Sequence, residues 1–265
     1  MNLLLWLRQD LRLEDNPALQ AALRANPKTL TFLYILPESL GGASRWWLHH
    51  SVVALQTALD KYAQTLFLSD KSEKEIIPGV ISTHNIHALY CTERHEPLLA
   101  ASDKAIFTQI KKAGAAVEVF PGYLMHDPTK VVTGQGKTYQ KYTPFWRTCY
   151  KILNEQPLKN HLSKAPESMP PPLPLHKAQN LITTDRLGQW GLCPRAPNWA
   201  SGFAKVWVPG EKSAQKTLTN FLKASVRDYA VKRDYPAQTG TSRLSPHLHF
   251  GEISPYRVYR AALSQ

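Results

Sequence analysis

Cysteines are scarce in this sequence of 265 residues, and their spacing excludes the structures that depend on them. Cys91, Cys149 and Cys193 lie far apart, and no C-x-x-C pair occurs. Neither a disulfide framework nor a zinc site is indicated, and a reducing cytoplasm is the expected compartment. His247 and His249 also lack a cysteine or carboxylate at recognised zinc spacing. We therefore predict no metal site and place such histidines at the surface or at the edge of the core.

Long apolar runs are missing as well. No stretch approaches the roughly 18 apolar residues that a membrane span requires. The apolar opening, residues 3–7, ends at Arg8 and has neither a basic n-region nor a small-residue cleavage site. We predict no signal peptide and no membrane partner.

Acidic residues are few. The sequence has 20 Asp and Glu against 32 Lys and Arg, so its formal net charge is +12 and its pI is near 9.6. This excess of positive charge favours a polyanionic partner. A basic surface without such a partner is the alternative.

Three familiar catalytic or nucleotide-binding motifs are absent. There is no G-x-S-x-G, so nothing positive supports a hydrolase. No G-x-G-x-x-G follows the first predicted strand, which excludes an ordinary NAD-binding fingerprint. Residues 134–138, GQGKT, resemble part of a phosphate-binding loop, but the position that requires glycine is Val131.

The first part of the chain alternates apolar runs with helical patterns, which is typical of a parallel sheet covered by helices. We predict an α/β fold with a doubly wound, five-stranded parallel sheet over residues 1–130. The predicted strands are residues 3–7, 29–36, 66–68, 88–91 and 116–120. Asn16 and Pro17 predict a helix start, Ser44 is the predicted cap of the next helix, and Gly114 ends a helix that begins near Leu98.

The pattern changes after Phe120. Residues 131–190 are predicted to form a loop-rich interdomain linker, in which five prolines between residues 166 and 174 favour an extended segment over a surface. Helical patterns dominate residues 191–265, where Ala214, Leu218, Phe221 and Leu222 recur on one helix face. This part is predicted to begin an all-helical domain.

Two segments have the composition of anion-binding surfaces. The first combines cations with aromatic side chains, as nucleic-acid surfaces do; its cations are Lys130, Lys137, Lys141, Arg147, Lys151, Lys159 and Lys164, opposed only by Glu155, and its aromatics are Tyr139, Tyr142, Phe145, Trp146 and Tyr150. A solvated face over core aromatics explains the same residues equally well.

The second segment is residues 239–246, TGTSRLSP. Ser245 and Pro246 fit an N-cap and a first helical position, so free backbone N–H groups, the hydroxyls of Thr241, Ser242 and Ser245 and the charge of Arg243 would converge on one anion. This arrangement predicts a phosphate or pyrophosphate site, and a well-capped helix without a ligand is the alternative.

Longer matches identify a family. Residues 6–17, WLRQDLRLEDNP, closely resemble the amino-terminal signature of the DNA photolyase and cryptochrome family. Further matches follow in the family's order at residues 44–49 (SRWWLH), 142–147 (YTPFWR), 209–211 (PGE), 233–236 (RDYP) and 240–255 (GTSRLSPHLHFGEISP). The resemblance spans essentially the whole chain and is to the class I branch, whose members repair cyclobutane pyrimidine dimers in DNA with blue light and reduced FAD.

The resemblance implies roles for individual residues. The segment that holds the FAD pyrophosphate in the family matches Thr241, Ser242, Arg243, Leu244 and Ser245. Tyr229 matches a tyrosine that touches the flavin nucleotide, and Arg233 matches a position that contacts the DNA backbone. The implied activity is that of a deoxyribodipyrimidine photo-lyase, a carbon-carbon lyase that flips the lesion out of the duplex and donates an electron from excited reduced FAD.

The resemblance also implies a chain truncated within the FAD-binding domain, because the family continues past the match to Gln265. That later part supplies the remaining flavin contacts, the lesion pocket and the tryptophan relay, so catalytic residues are unknown and the activity of this chain is uncertain. The rivals are a cryptochrome-like flavoprotein without repair activity and a non-catalytic fragment. Truncation predicts an exposed apolar surface near Leu218, Phe221 and Leu222.

An antenna chromophore is the other implied cofactor, and its type stays open. Folate-binding members carry an Asn-Glu pair where this sequence has Leu98 and Leu99, so folate is not expected. A deazaflavin, another flavin or no antenna are the alternatives. We expect a monomer whose partner is damaged DNA.

Overall fold

A computed structural model describes residues 1–125, 127–155, 163–175 and 180–265, and for residues 128 and 155 only the backbone. Lys159 of the basic segment and parts of the predicted linker therefore lie outside the described residues. Within these residues, no helix is long and apolar enough to cross a bilayer.

The amino-terminal part is a five-stranded parallel sheet, as predicted. Its strands are β1 (Asn2–Leu7), β2 (Thr29–Ile35), β3 (Leu66–Ser69), β4 (Ala88–Thr92) and β5 (Ala116–Phe120). They are ordered β3-β2-β1-β4-β5, which is doubly wound. In the register, Leu4 lies opposite Thr31 of β2 and Leu89 of β4. Strand β1 is central, and helices cover both of its faces, which explains its unbroken apolar sequence.

Alternate residues of β1 belong to two separate cores. Leu3, Leu5 and Leu7 pack with α1 (Pro17–Arg24) and α2 (Gly42–Leu59). Leu4 and Trp6 pack on the other face with α3 (Glu73–Thr83) and α4 (Pro97–Lys112). The period of two along a strand produces this division.

The helix boundaries confirm two predicted signals and correct a third. Asn16 caps α1, since its Oδ1 accepts a hydrogen bond from the Leu19 N–H at 3.0 Å. Helix α4 is followed by Gly114 at φ +86°, the left-handed conformation expected there. Ser44 is not a cap: α2 begins two residues earlier, because the extended backbone of Gly41 already supplies the N-cap geometry without a side-chain bond.

The predicted linker contains a helix that the loop-rich expectation missed. Helix α5 spans Tyr142–Glu155 and buries Cys149 and Leu153, which are four residues apart. The proline-rich residues 163–175 have no helix or strand and run along the α/β part. The Leu30 N–H donates to the Pro171 carbonyl at 3.1 Å.

Four helices follow residue 210: α6 (Glu211–Ala224), α7 (Tyr229–Lys232), α8 (Ser245–His249) and α9 (Pro255–Leu263). Their small core contains Ala214, Leu218, Leu244 and Ile253. The expectation of an exposed apolar surface is wrong for Leu218, which is 5% exposed. Phe221 and Leu222 are half-buried. Leu244 before α8 and Ile253 between α8 and α9 supply the cover, so these helices find apolar partners within the chain.

The loop after β1 joins the helical part to the sheet. The Arg12 guanidinium donates to the Gly251 carbonyl at 3.0 Å and pairs with Asp15 at 2.8 Å. The Ser254 hydroxyl donates to the second Asp15 oxygen at 2.6 Å. The residues Arg12, Asp15, Gly251 and Ser254 are all buried. Arg257 is half-buried, and its Nε donates to Asp15 at 3.2 Å. Residues 10–16 of the amino-terminal signature thus form a polar interface between the two parts of the chain.

Candidate anion-binding site

A cavity of about 530 Å³ opens between α6 and the loop that precedes α8. Its wall is formed by three segments of the helical part of the chain. These are residues 206–208, the exposed side of α6, and the loop at residues 239–243 with His247 behind it.

The cavity is lined by positive charge. Lys212 and Lys216 lie one turn apart on α6, and Arg243 faces them from the loop. No carboxylate lines the cavity among the described residues. The hydroxyls of Ser213, Thr217, Thr239, Thr241 and Ser242 add hydrogen-bonding groups. Cations together with hydroxyl donors are the groups that hold phosphate and diphosphate anions.

Arg243 is held in an uncommon conformation. Its backbone has φ +54°, and its guanidinium carbon lies 4.1 Å from the centroid of the Trp207 ring. A left-handed conformation costs a non-glycine residue about 1–3 kcal/mol, and it persists only where the surrounding structure imposes it. The stacking on Trp207 and the burial of the next residue, Leu244, supply that constraint. The loop therefore holds its cation at the cavity wall.

The structure brings together three of the predicted pyrophosphate residues and separates two. Thr241, Ser242 and Arg243 line the cavity. Leu244 belongs to the small core instead, and Ser245 is exposed as the first residue of α8. The prediction that Ser245 is an N-cap is wrong, because Leu244 occupies that position with helical backbone angles and no side-chain cap bond.

Tyr229 and Arg233 lie outside the cavity wall. The ring of Tyr229 packs edge-on against Phe221 at 5.8 Å between centroids, and Phe221 lines the cavity. Arg233 is exposed, with its guanidinium carbon 5.9 Å from the Tyr229 ring and its Nε 3.7 Å from Asp234. The roles of both residues toward flavin and DNA stay predictions.

The cavity wall includes a buried histidine that pairs with a carboxylate. His247 lies 2% exposed at the cavity wall, so its expected position at the surface or core edge is wrong, whereas His249 is exposed. The Nδ1 atom of His247 pairs with one carboxylate oxygen of Glu252, and the other oxygen accepts a hydrogen bond from the Trp47 indole N–H at 3.0 Å. The His247 ring also packs edge-on against Trp47 at 5.0 Å. This chain of contacts ties the cavity wall to α2.

The contribution of α6 to the wall of this cavity was not predicted from the sequence. Lys212, Lys216 and Asn220 recur every four residues and therefore line one face of α6. That spacing was readable in the sequence as a polar face opposite Ala214 and Leu218. No cluster of three His, Cys, Asp or Glu residues suited to a metal occurs in the described part of the chain.

A second polar site lies at the carboxyl ends of β1 and β4, the switch point of the sheet. Arg8 lies 3.8 Å over the Trp6 ring and pairs with Asp103 at 2.6 Å. Arg94 also pairs with Asp103 and holds Glu73 through two bonds of 2.7 and 2.8 Å. The guanidinium groups of Arg8 and Arg94 therefore occupy the carboxyl ends of β1 and β4.

An open cavity of about 360 Å³ lies next to this network, lined in part by Arg94, Asp103, Lys104 and Phe107. Leu98 and Leu99, the residues at the position of the family's folate-binding pair, are exposed and do not line it.

The fold and the cationic cavity define a class: an α/β domain coupled to a helical part with a site suited to a phosphorylated ligand. Residues 3–167 match the DNA photolyase family, and the chain belongs to that family. The deoxyribodipyrimidine photo-lyase of Agrobacterium fabrum is 37% identical over 261 residues, which cover 97% of this chain and 52% of that protein. Cryptochrome-1 of Arabidopsis thaliana is 28% identical over 264 residues, 97% of this chain and 37% of that protein.

The fold agrees with these relationships. The crystal structure of a bacterial class III photolyase from Agrobacterium tumefaciens superposes with a TM-score of 0.82 at 35% identity, over 98% of this chain and 52% of that one. The chain spans about half the length of this photolyase and less of the plant cryptochrome. The predicted family and fold are confirmed, and the finer assignment to the class I branch stays a prediction.

Proposed function

We propose that the cavity between α6 and residues 239–243 binds the diphosphate of FAD, as part of a light-dependent photo-lyase that repairs cyclobutane pyrimidine dimers in DNA. The observation that carries this proposal is the charge of the cavity wall. Lys212, Lys216 and Arg243 converge on one space, and no described residue of that wall offers a carboxylate to neutralise them.

The residues present fit the diphosphate of this cofactor. Lys212, Lys216 and Arg243 would hold its two negative phosphates, and the hydroxyls of Thr241 and Ser242 would complete their hydrogen bonds. Tyr229 would contact the nucleotide through its position beside Phe221. When bound, the flavin supplies light absorption and one-electron transfer. The chain's own residues orient the cofactor and neutralise its charge.

DNA is the proposed macromolecular partner. The net charge of +12 favours a polyanion, and the exposed guanidinium of Arg233 suits a phosphate contact. An antenna chromophore is proposed at the 360 Å³ cavity near Asp103, because this open space lies beside the switch point of the sheet, where α/β folds bind ligands. Its chemical type is left unassigned. A monomer in the cytoplasm remains our expectation.

The flavin proposal is tested by titrating the purified protein with FAD and measuring bound flavin from its absorption band near roughly 450 nm. The double variant Lys212→Gln/Lys216→Gln is compared with Lys223→Gln, which removes an exposed lysine from the last turn of the same helix. A hydrogen bond to a charged group contributes about 1.5–3 kcal/mol, so each lost lysine should weaken binding about 10- to 150-fold. The Lys223→Gln variant should bind like the unmodified protein.

Two outcomes would contradict the proposal. Unaltered affinity in the double variant would mean that FAD binds elsewhere. Failure of the unmodified protein to bind FAD would support the alternative of a non-catalytic fragment. If the protein does load FAD, illumination with dimer-containing DNA separates repair from the cryptochrome-like alternative, since only a photo-lyase restores the two pyrimidines.

A further inference from the structure

Helix α5 exposes an aromatic stripe. Residues 142–147, the first turns of the helix, are all exposed. Tyr142, Trp146 and Tyr150 are 73%, 40% and 47% exposed. Since residues four apart are neighbours on a helix, these three rings form a line along one side of α5. Large aromatic side chains left in solvent along a helix indicate a binding surface.

Cations flank this stripe without acidic neighbours in sequence. Lys137, Lys141 and Arg147 are exposed, and no Asp or Glu occurs between Lys130 and Glu155. Arg147 follows Trp146 directly and therefore lies on the adjacent side of the helix. Cations beside aromatic rings, with no opposing carboxylate in this stretch of sequence, suit an anionic partner that offers rings for stacking.

A groove continues the surface beyond the start of the helix. It has a volume of about 480 Å³, and Lys137, Tyr139, Lys141 and Pro144 contribute to its walls. A tight turn shapes one wall, in which the Gly136 N–H donates to the Thr133 carbonyl at 2.8 Å. The Tyr139 hydroxyl is hydrogen-bonded to Thr148 of α5 at 2.7 Å, which holds the groove against the helix.

We propose that this surface binds single-stranded nucleic acid, with the phosphates along the cations and unpaired bases stacked on the aromatic stripe. The α5 surface consists of Lys137, Lys141, Tyr142, Trp146, Arg147 and Tyr150. A cationic track beside aromatic rings is the arrangement that sequence-tolerant single-strand binding uses. A duplex offers only its phosphates, because its bases are already stacked on one another. The proposal goes beyond the flavin site and requires no bound cofactor.

The test is fluorescence anisotropy with a labelled 12-nucleotide oligothymidine and with a duplex of the same length. The unmodified protein is compared with Trp146→Ala, with the ring-conserving Trp146→Phe, and with Trp199→Ala as the control at another exposed tryptophan. Stacking on an aromatic side chain contributes about 1–3 kcal/mol per base, so Trp146→Ala should weaken single-strand binding about 5- to 150-fold. Trp146→Phe should recover most of the loss, and Trp199→Ala should change nothing.

Salt dependence tests the phosphate contacts separately. Loss of one phosphate contact to a single strand reduces the slope of log affinity against log salt by about 0.7. Arg147→Gln should show this change, whereas Lys223→Gln should not. If Trp146→Ala fails to fold, Tyr142→Ala replaces it, since Tyr142 is the most exposed ring of the stripe.

Three results would overturn the proposal. One is equal weakening by Trp146→Ala and Trp199→Ala. Another is tighter binding of duplex than of single strand, unaffected by Trp146→Ala. The third is sedimentation showing self-association that Trp146→Ala abolishes, because the stripe would then contact a second copy of the chain.

Discussion

Replacing Asp15 by Asn should weaken the contact between the helical part of the chain and the sheet. Asp15 is buried and accepts three side-chain hydrogen bonds: from Arg12 at 2.8 Å, Ser254 at 2.6 Å and Arg257 at 3.2 Å. Its backbone has φ +46°, which Asn tolerates better than Ala. Asp15→Asn therefore removes the charge while it keeps the shape and the backbone conformation.

The expected loss of unfolding free energy follows from Arg12, which stays buried when its charged partner is removed. Arg12 is 2% exposed, and the loss of one member of a buried ion pair typically costs about 3–5 kcal/mol. Arg12 keeps its bond to the Gly251 carbonyl, and Arg257 keeps its pairing with Glu14 at 2.8 Å. We therefore expect a loss of about 3 kcal/mol in the free energy of unfolding, at the lower end of the range.

Urea unfolding measures this loss, followed by far-ultraviolet circular dichroism and by tryptophan fluorescence. Asp70→Asn, at an exposed aspartate, is the matched control and should change stability by less than about 0.5 kcal/mol. If Asp15→Asn loses less than about 1 kcal/mol, the polar interface does not hold the two parts together and the reasoning is refuted.

Two further substitutions probe the same interface, in which Glu211 of α6 accepts hydrogen bonds from the Leu13 and Glu14 N–H groups at 2.9 and 2.8 Å. Gly251→Ala should destabilise the protein by more than about 3 kcal/mol, because the residue has φ +66° and a Cβ there would lie 1.9 Å from the Gln9 carbonyl oxygen. The control in thermal unfolding is Gly134→Ala, whose added Cβ meets open space. Equal melting temperatures of the two variants would contradict the expectation. Burial raises the pKa of Glu211 to about 7, so the folded state binds more protons than the unfolded state and stability should fall as pH rises from about 4.5 to about 7. Glu211→Gln should flatten this slope, which is at most about 1.4 kcal/mol per pH unit, and an unchanged slope in urea titrations would show that another group causes it.

Local sequence patterns were sufficient for the sheet. Each of the five strands was predicted to within one residue, because continuous apolar runs between turn residues leave few alternatives. The position of Asn16 at the start of α1 was equally readable. Helix α5 was missed, since among its described side chains only Cys149 and Leu153 are buried, while its aromatic residues are exposed.

The errors have two physical origins: the local backbone geometry at helix starts, and contacts between residues far apart in the sequence. Ser44 and Ser245 have the right chemistry for caps, but the backbone enters each helix earlier than they do. Thr241, Ser242 and Arg243 were found because they are neighbours in the sequence. Lys212 and Lys216 were not, because only the folded chain brings α6 opposite that loop. Likewise, no local pattern shows that Asp15 meets Ser254 across 239 positions.

That separation of 239 positions has a consequence for the order of folding. The contacts between the strands lie within the first 120 residues, whereas Asp15 meets Ser254 and Arg257, and Arg12 meets the Gly251 carbonyl, only when residues 251–257 are in place. Closing a longer loop costs more entropy, by about 0.6 kcal/mol for each doubling of its length, and proteins dominated by distant contacts fold slowly. During synthesis from the amino terminus, the strands can therefore pair before Asp15 and Arg12 meet their partners in residues 251–257.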